Sequence, residues 1–132
     1  MNQQIKAGIT IQAPACDVWQ IITDTEIWPE WGPSVRNVRC RDRFIKSGSR
    51  GYVQTVFGLW IPFEISDYIF EKKWSWRIYR MQATGHRIER ISNVQCRLVF
   101  DMPIVMAPYR FICAIAVRRI RHLAEHGFKR RV

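Results

Sequence analysis

The stretch from Ile9 to Trp31 constrains the fold more than any other part of the chain. It begins in a strand, because apolar and polar residues alternate from Ile5 to Gln12 with the period of a half-buried sheet. Ala13-Pro14-Ala15 ends this strand, since proline has no amide hydrogen for the ladder and suits the first turn of a helix. The sequence therefore predicts a strand that leads directly into a helix.

The predicted helix is short and is followed by a second, interrupted turn. Its apolar stripe is Val18, Trp19, Ile21 and Ile22. Asp17 lies near the positive end of the helix, where a carboxylate is favourable. The second turn is expected to begin near Asp24 and to break at Trp28-Pro29, which leaves Trp28 and Trp31 beside a proline. This arrangement favours a cradle for a ligand over a catalytic motif.

Six further strands are predicted between Trp31 and the last part of the chain. They span Val35–Cys40, Tyr52–Phe57, Phe63–Phe70, Trp74–Ile78, Thr84–Ile91 and Val94–Phe100. Because short turns join most of them, the sheet is expected to be largely antiparallel.

A long amphipathic helix is predicted at the end of the chain. Pro103 and Pro108 mark the end of the sheet, and Gly127 is a plausible helix terminator before the basic tail Lys129-Arg130-Arg131. The apolar positions have helical spacing, and they are Tyr109, Ile112, Cys113, Ala116, Ile120, Leu123 and Ala124. This stripe is expected to pack against the concave face of the sheet.

The order of these features resembles the START-like (SRPBCC) superfamily, particularly its polyketide cyclase/dehydrase-like branch. The matching positions are Ala13-Pro14, Val18-Trp19, Ile21-Ile22, Asp24, Trp28-Pro29-Glu30-Trp31, Pro33-Ser34-Val35 with Val38, Gly48-Ser49-Arg50-Gly51 and His86. The resemblance covers nearly the whole chain. It implies an α+β helix-grip fold, in which a curved antiparallel sheet wraps around a long C-terminal helix with a hydrophobic cavity between them. It implies no single activity, because one fold can carry many functions.

Composition predicts a single domain over residues 1–132, of which 48% are hydrophobic. No apolar stretch approaches the roughly 20 residues that span a bilayer, and no secretory signal is recognisable, so a cytoplasmic location is expected. The cysteines are too widely spaced for a zinc or redox motif, and they are expected to be buried free thiols rather than disulfide, metal or nucleophile positions. They are Cys16, Cys40, Cys96 and Cys113.

Large aromatic side chains are unusually numerous for a core of this size, so some are expected to line a cavity. The candidates are Trp31, Phe57, Phe63, Trp76 and Tyr109. Ile112 and Cys113 of the last helix are also expected to contact the ligand. His86 shares a strand face with Ile88 and should point inward. There it could bind a ligand carbonyl, act as a base, or be a neutral core histidine bonded to a backbone carbonyl.

These residues predict a protein that binds a hydrophobic or aromatic small molecule, such as a lipid or a polyketide-like chain. The alternative is a cyclase, aromatase or dehydratase acting in the same cavity, with His86 as its candidate catalytic residue. No metal is expected, because no second ligand stands at metal-binding spacing from His86. No cofactor is expected either, since neither a dinucleotide fingerprint nor a Walker loop is present.

The net charge of +10 indicates a third possibility. Such a charge could attract an anionic membrane surface, through the basic C-terminal helix and tail, or a nucleic acid. Nucleic acid is the less favoured partner, because the sequence shows no recognition-helix pattern and no zinc finger. The simplest alternative is that the arginines merely cover the outer face of the protein.

Overall fold

The computed structural model describes residues 4–126. Seven antiparallel strands form one sheet in the order β1-β7-β6-β5-β4-β3-β2, so the first two strands lie at opposite edges. The element bounds are β1 Gln4–Ile11, α1 Ala15–Thr23, α2 Trp28–Trp31, β2 Val35–Cys40, β3 Arg50–Thr55, β4 Trp60–Ile69, β5 Lys73–Ile78, β6 Met81–Arg90, β7 Cys96–Pro103 and α3 Arg110–Glu125, with a 3₁₀ segment at Ile104–Tyr109. The predicted α+β helix-grip architecture is confirmed.

The two short helices are joined by a turn that is centred on a buried carboxylate. Asp24 accepts hydrogen bonds from the Glu26 amide at 3.0 Å and from Arg43 Nη2 at 3.1 Å. The predicted break at Trp28-Pro29 is wrong, because α2 begins at Trp28. Pro29 lies in the first helical turn, where a missing amide hydrogen costs no intrahelical bond.

Tryptophan side chains fasten α2 to α1. The indole Nε1 of Trp28 donates to the carbonyl of Ile22 at 2.9 Å, and that of Trp31 donates to the carbonyl of Ile21 at 3.3 Å. Each ring is buried while its polar atom is paired with a helix carbonyl that lacks a partner at the helix end. The first two helices are thereby held as a fixed wall beside the concave face of the sheet.

The long helix α3 packs on β1, β7, α1 and α2. Its buried side chains are Cys113, Ala116, Val117 and Ile120. Three of these belong to the predicted stripe, and Val117 extends it. Ile112, Leu123 and Ala124 are half-buried at its margins. Gly127, which was predicted to end the helix, and the basic tail after it lie outside the described residues.

The cysteines are free thiols, as predicted. Cys96 and Cys113 are buried, and burial raises the pKa of each to about 11, so both stay protonated at neutral pH. The predicted burial is wrong for Cys16 and Cys40, which are only half-buried. Among residues 4–126, no group of three or more histidine, cysteine or acidic side chains is placed to hold a metal ion.

Candidate functional site

A stack of aromatic rings occupies the space between the sheet and the helices. Trp74 lies at its centre, with its ring centroid 5.4 Å from that of Trp28 and 3.7 Å from that of His86, and both neighbours are nearly parallel to it. Phe100 closes the stack edge-on, 4.4 Å from the His86 ring. These rings therefore fill most of the volume that the sequence assigned to a ligand.

A small cavity remains between this stack and α3. Its volume is about 30 Å³, and Trp31, His86, Ile112 and Cys113 are among the residues that surround it. A space of this size holds about one water molecule. The inner cavity is too small to receive an organic ligand in this conformation.

A larger, open groove adjoins the inner cavity. It has a volume of about 410 Å³ and shares Ser34, Val35, Trp76, Thr84 and Tyr109 with the inner cavity. Its floor is formed by β3 to β6, and the 3₁₀ segment contributes Met106 and Tyr109 from the opposite side. Its volume falls within the roughly 300–1,000 Å³ that is common for small-molecule sites.

The groove has an apolar lining with a few neutral polar groups. The hydroxyl oxygens of Ser34 and Tyr109 lie 2.5 Å apart, so one donates to the other and the acceptor keeps its own hydrogen for a ligand. Burial raises the pKa of Tyr109, which keeps its phenol neutral. Thr84 accepts a hydrogen bond from Trp76 Nε1 at 2.8 Å. Thr55 Oγ1 is buried without a hydrogen-bond partner among the described residues.

His86 points inward, as strand alternation predicts, and is only 3% exposed. Its Nδ1 lies 3.2 Å from the Trp74 carbonyl oxygen. Burial lowers the pKa of His86 to about 3, and the contact with the Trp74 carbonyl only partly opposes this effect. The imidazole is therefore neutral at physiological pH and is a weak base. Its surroundings match the core histidine that the sequence left as one of three alternatives.

The structure brings most of the predicted ligand residues together and separates two of them. Trp31, Trp76, His86, Tyr109, Ile112 and Cys113 surround the inner cavity. Of these, only Trp76 and Tyr109 also line the open groove. Phe63 is buried behind the groove, with its ring 5.4 Å from Trp28 and 5.6 Å from Trp76.

Phe57 lies outside both cavities, so its proposed lining role is corrected. Strand β3 ends at Thr55, whose amide donates to the Leu59 carbonyl at 2.8 Å, and the chain turns at Gly58 with φ of 86°. Phe57 therefore lies on the turn and is 88% exposed. Alternation predicted that this strand extends to Phe57, but it ends at Thr55.

Several groove residues were not among the predicted ligand contacts. Ser34 follows Pro33 in a segment noted only for its family resemblance, although a serine beside a proline turn is well placed for a loop contact. Thr84 lies two residues before His86 on the same strand face, so alternation alone could have found it. Met106 had no comparable signal, because it belongs to an irregular 3₁₀ segment that follows Pro103 and contains Pro108.

The acidic side chains Glu64 and Glu89 of the sheet are not part of the groove lining. Glu64 pairs with Arg50 at 3.0 Å and with Arg77 at 3.7 Å, and Glu89 pairs with Arg87 at 3.4 Å. No helix within residues 4–126 has both the length and the apolar character required to cross a bilayer.

Comparison with known families identifies the fold. A family model described as polyketide cyclase/dehydrase and lipid transport matches residues 2–130. The chain belongs to this family. The resemblance to its polyketide cyclase/dehydrase-like branch, which the sequence indicated, is therefore confirmed. No curated protein matched the sequence.

Solved structures with the same fold include two enzymes and a START superfamily protein. Zhui aromatase/cyclase from a Streptomyces species has a TM-score of 0.73 at 11% identity, and the match covers 94% of each chain. A START superfamily protein from Mycobacterium smegmatis has a TM-score of 0.69 at 14% identity, covering 92% of this chain and 96% of that one. Truncated norcoclaurine synthase from Thalictrum flavum has a TM-score of 0.72 at 10% identity, covering 96% of each chain. At these identities the likeness establishes the fold alone.

Proposed function

We propose that this protein binds a hydrophobic small molecule in the groove between β3 to β6 and the 3₁₀ segment. The observation that carries the proposal is the lining of this groove of about 410 Å³. Within the described part of the chain, the lining contains no acidic, lysine, arginine or histidine side chain. An uncharged, mostly apolar molecule is the ligand with the smallest desolvation free energy when it moves from water into such a site.

The polar groups in the groove define the rest of the ligand's chemistry. The Ser34–Tyr109 pair can donate one further hydrogen bond, and the unpaired Thr55 hydroxyl offers another polar contact. A carbonyl or hydroxyl oxygen on an otherwise apolar body would satisfy these groups. Lipids and polyketide-like chains both have this character, and the family description names both classes.

Truncation of Trp76 tests where the ligand binds. Trp76 lines the groove and the inner cavity, so Trp76→Ala removes wall area that a ligand would cover. Losing about 60 Å² of apolar contact at roughly 25 cal/mol per Å² corresponds to about a tenfold loss of affinity. Titration of a fluorescent hydrophobic probe into both proteins measures this difference.

Phe57→Ala is the matched control for that titration, because it also removes one aromatic ring but from an exposed turn. Its probe affinity is expected to stay within about twofold of the unmodified protein. Equal affinity of the unmodified and Trp76→Ala proteins, with both folded by circular dichroism, would place the ligand elsewhere. Native mass spectrometry of protein purified from its own host would identify a retained ligand.

A second candidate function is cyclisation or dehydration of a bound chain, and the Ser34–Tyr109 pair is the observation that favours it. A neutral phenol held by a second hydroxyl can polarise a carbonyl oxygen and so assist enolisation. His86 is less suited to proton abstraction, because its low pKa makes it a weak base.

Tyr109→Phe distinguishes binder from enzyme. In a binder, loss of one neutral hydrogen bond, worth about 0.5–1.5 kcal/mol, should weaken affinity for a carbonyl-bearing probe about two- to tenfold. The same variant should bind a pure hydrocarbon probe normally. In an enzyme, turnover of a polyketide-like substrate should fall about a hundredfold or more while probe affinity changes little. We expect the first outcome.

A further inference from the structure

Exposed apolar side chains surround the open end of the groove. The turn between β3 and β4, the turn between β5 and β6, and the C-terminal end of β7 all lie at the same end of the sheet, because neighbouring strands are antiparallel. Six large apolar residues at this end, here called the apolar rim, are each at least half exposed: Phe57, Leu59, Tyr79, Met81, Ile104 and Val105. Contiguous exposed patches of this kind mark interaction surfaces.

The rim is continuous with the groove. Tyr79 and Met81 line the groove and are also rim residues, and Val105 immediately precedes the groove residue Met106. Phe57 and Val105 are 88% and 81% exposed, the highest values among the exposed large hydrophobic residues of the described chain. A surface that covered the rim would therefore also cover the mouth of the groove.

The turn between β5 and β6 shows an unusual choice of residues. Tyr79 and Arg80 both have positive φ, at 52° and 67°, which is the geometry of a two-residue hairpin turn that asparagine and glycine adopt more easily. Both side chains are exposed. An aromatic ring beside a guanidinium is the combination that anchors proteins at the boundary between lipid and water. The strained backbone is consistent with a use for these two side chains at the surface.

Positive charge flanks the rim. Arg80 lies between the rim residues Tyr79 and Met81 in the turn from β5 to β6. Arg110 follows the 3₁₀ segment directly, and its guanidinium carbon is 5.1 Å from the exposed Phe111 ring. The nearby acid Glu64 is already paired with Arg50 and Arg77. A second copy of this chain would carry the same charge of +10 and be repelled, whereas an anionic bilayer would be attracted.

We propose that the apolar rim docks on the surface of an anionic lipid bilayer and places the mouth of the groove against the lipid. This proposal rests on the groove being the ligand site, and it assigns membrane contact to the rim rather than to the C-terminal helix and tail. Phe57 and Val105 insert between the lipid headgroups, while Arg80 and Arg110 face the anionic phosphates. An apolar ligand would then pass between bilayer and groove without crossing water.

The test is flotation of the full chain with phosphatidylserine/phosphatidylcholine vesicles. The rim variant Phe57→Ser/Val105→Ser should bind these vesicles at least about tenfold more weakly, because two apolar anchors are lost. The matched control is Phe70→Ser/Val94→Ser, which removes side chains of similar type, 66% and 67% exposed, from turns at the opposite end of the sheet. The control should bind within about twofold of the unmodified protein, and binding should weaken as salt rises.

Three results would overturn the docking proposal. The first is an equal loss of vesicle binding in both double variants, and the second is equal binding to pure phosphatidylcholine vesicles. The third is concentration-dependent self-association that the rim variant abolishes, since the rim would then be an interface between two copies. Probe titration of the same variants separates this proposal from the previous one. If the rim variant loses vesicle binding but keeps its probe affinity, the rim acts in docking. If the unmodified protein binds vesicles but no probe, only the assignment of the groove as the ligand site is contradicted.

Discussion

Ile120→Asp is expected to lower the free energy of unfolding by about 4 kcal/mol or more, or to prevent folding altogether. Ile120 is fully buried in the stripe of α3 that packs on β1 and on the first two helices. An aspartate there would bury a charge with no partner, and the isoleucine contacts would be lost as well. Chemical denaturation followed by circular dichroism measures the change.

Arg121→Asp is the matched control, because it introduces the same residue one position further along the same helix. The introduced aspartate therefore has the same helix propensity in both variants and lies at nearly the same distance from the C-terminus of the helix. Arg121 is exposed, so its substitution should change the free energy of unfolding by no more than about 1 kcal/mol. An Ile120→Asp protein as stable as the control would contradict the packing of α3 against the sheet.

Local patterns in the sequence predicted the elements well but predicted their ends poorly. The strand that contains Thr84 was expected to begin there, yet β6 begins at Met81. The reason is the preceding turn, which has Tyr79 and Arg80 at positive φ instead of the glycine, proline or asparagine that mark turns in a sequence. The end of β3 was also misplaced, because Phe57 lies on a turn after Thr55 rather than inside the strand.

The packing of the interior was harder to predict than the fold, because it depends on contacts between residues that are distant in sequence. Alternation correctly places Trp74, Trp76 and His86 on the inner face of the sheet. It does not tell whether these rings line a cavity or fill it. That depends on Trp28, which reaches the sheet from α2 and stacks on Trp74, forty-six positions away in sequence. With this stack in place, the usable volume shifts from beneath α3 to the groove beside the 3₁₀ segment.

Acidification is expected to destabilise the protein through His86. Burial lowers the pKa of His86 to about 3 in the folded state, whereas an unfolded chain has the ordinary value of 6.5. Between these two pH values the unfolded state binds a proton that the folded state does not, so stability falls as pH falls below 6.5. The expected loss from this residue is on the order of 1 kcal/mol per pH unit, which amounts to a few kcal/mol at a pH of roughly 4.5.

His86→Phe isolates this contribution, because phenylalanine keeps an aromatic ring against Trp74 but does not titrate. Denaturation of both proteins at neutral and acidic pH should show a smaller loss of stability in the variant, with the carboxylate contributions common to both cancelling in the difference. If His86→Phe instead lost as much stability on acidification as the unmodified protein, His86 would have to titrate near its ordinary pKa. The imidazole would then be accessible to protons, and the stack on Trp74 would have to open readily enough to make His86 a usable base beside the groove.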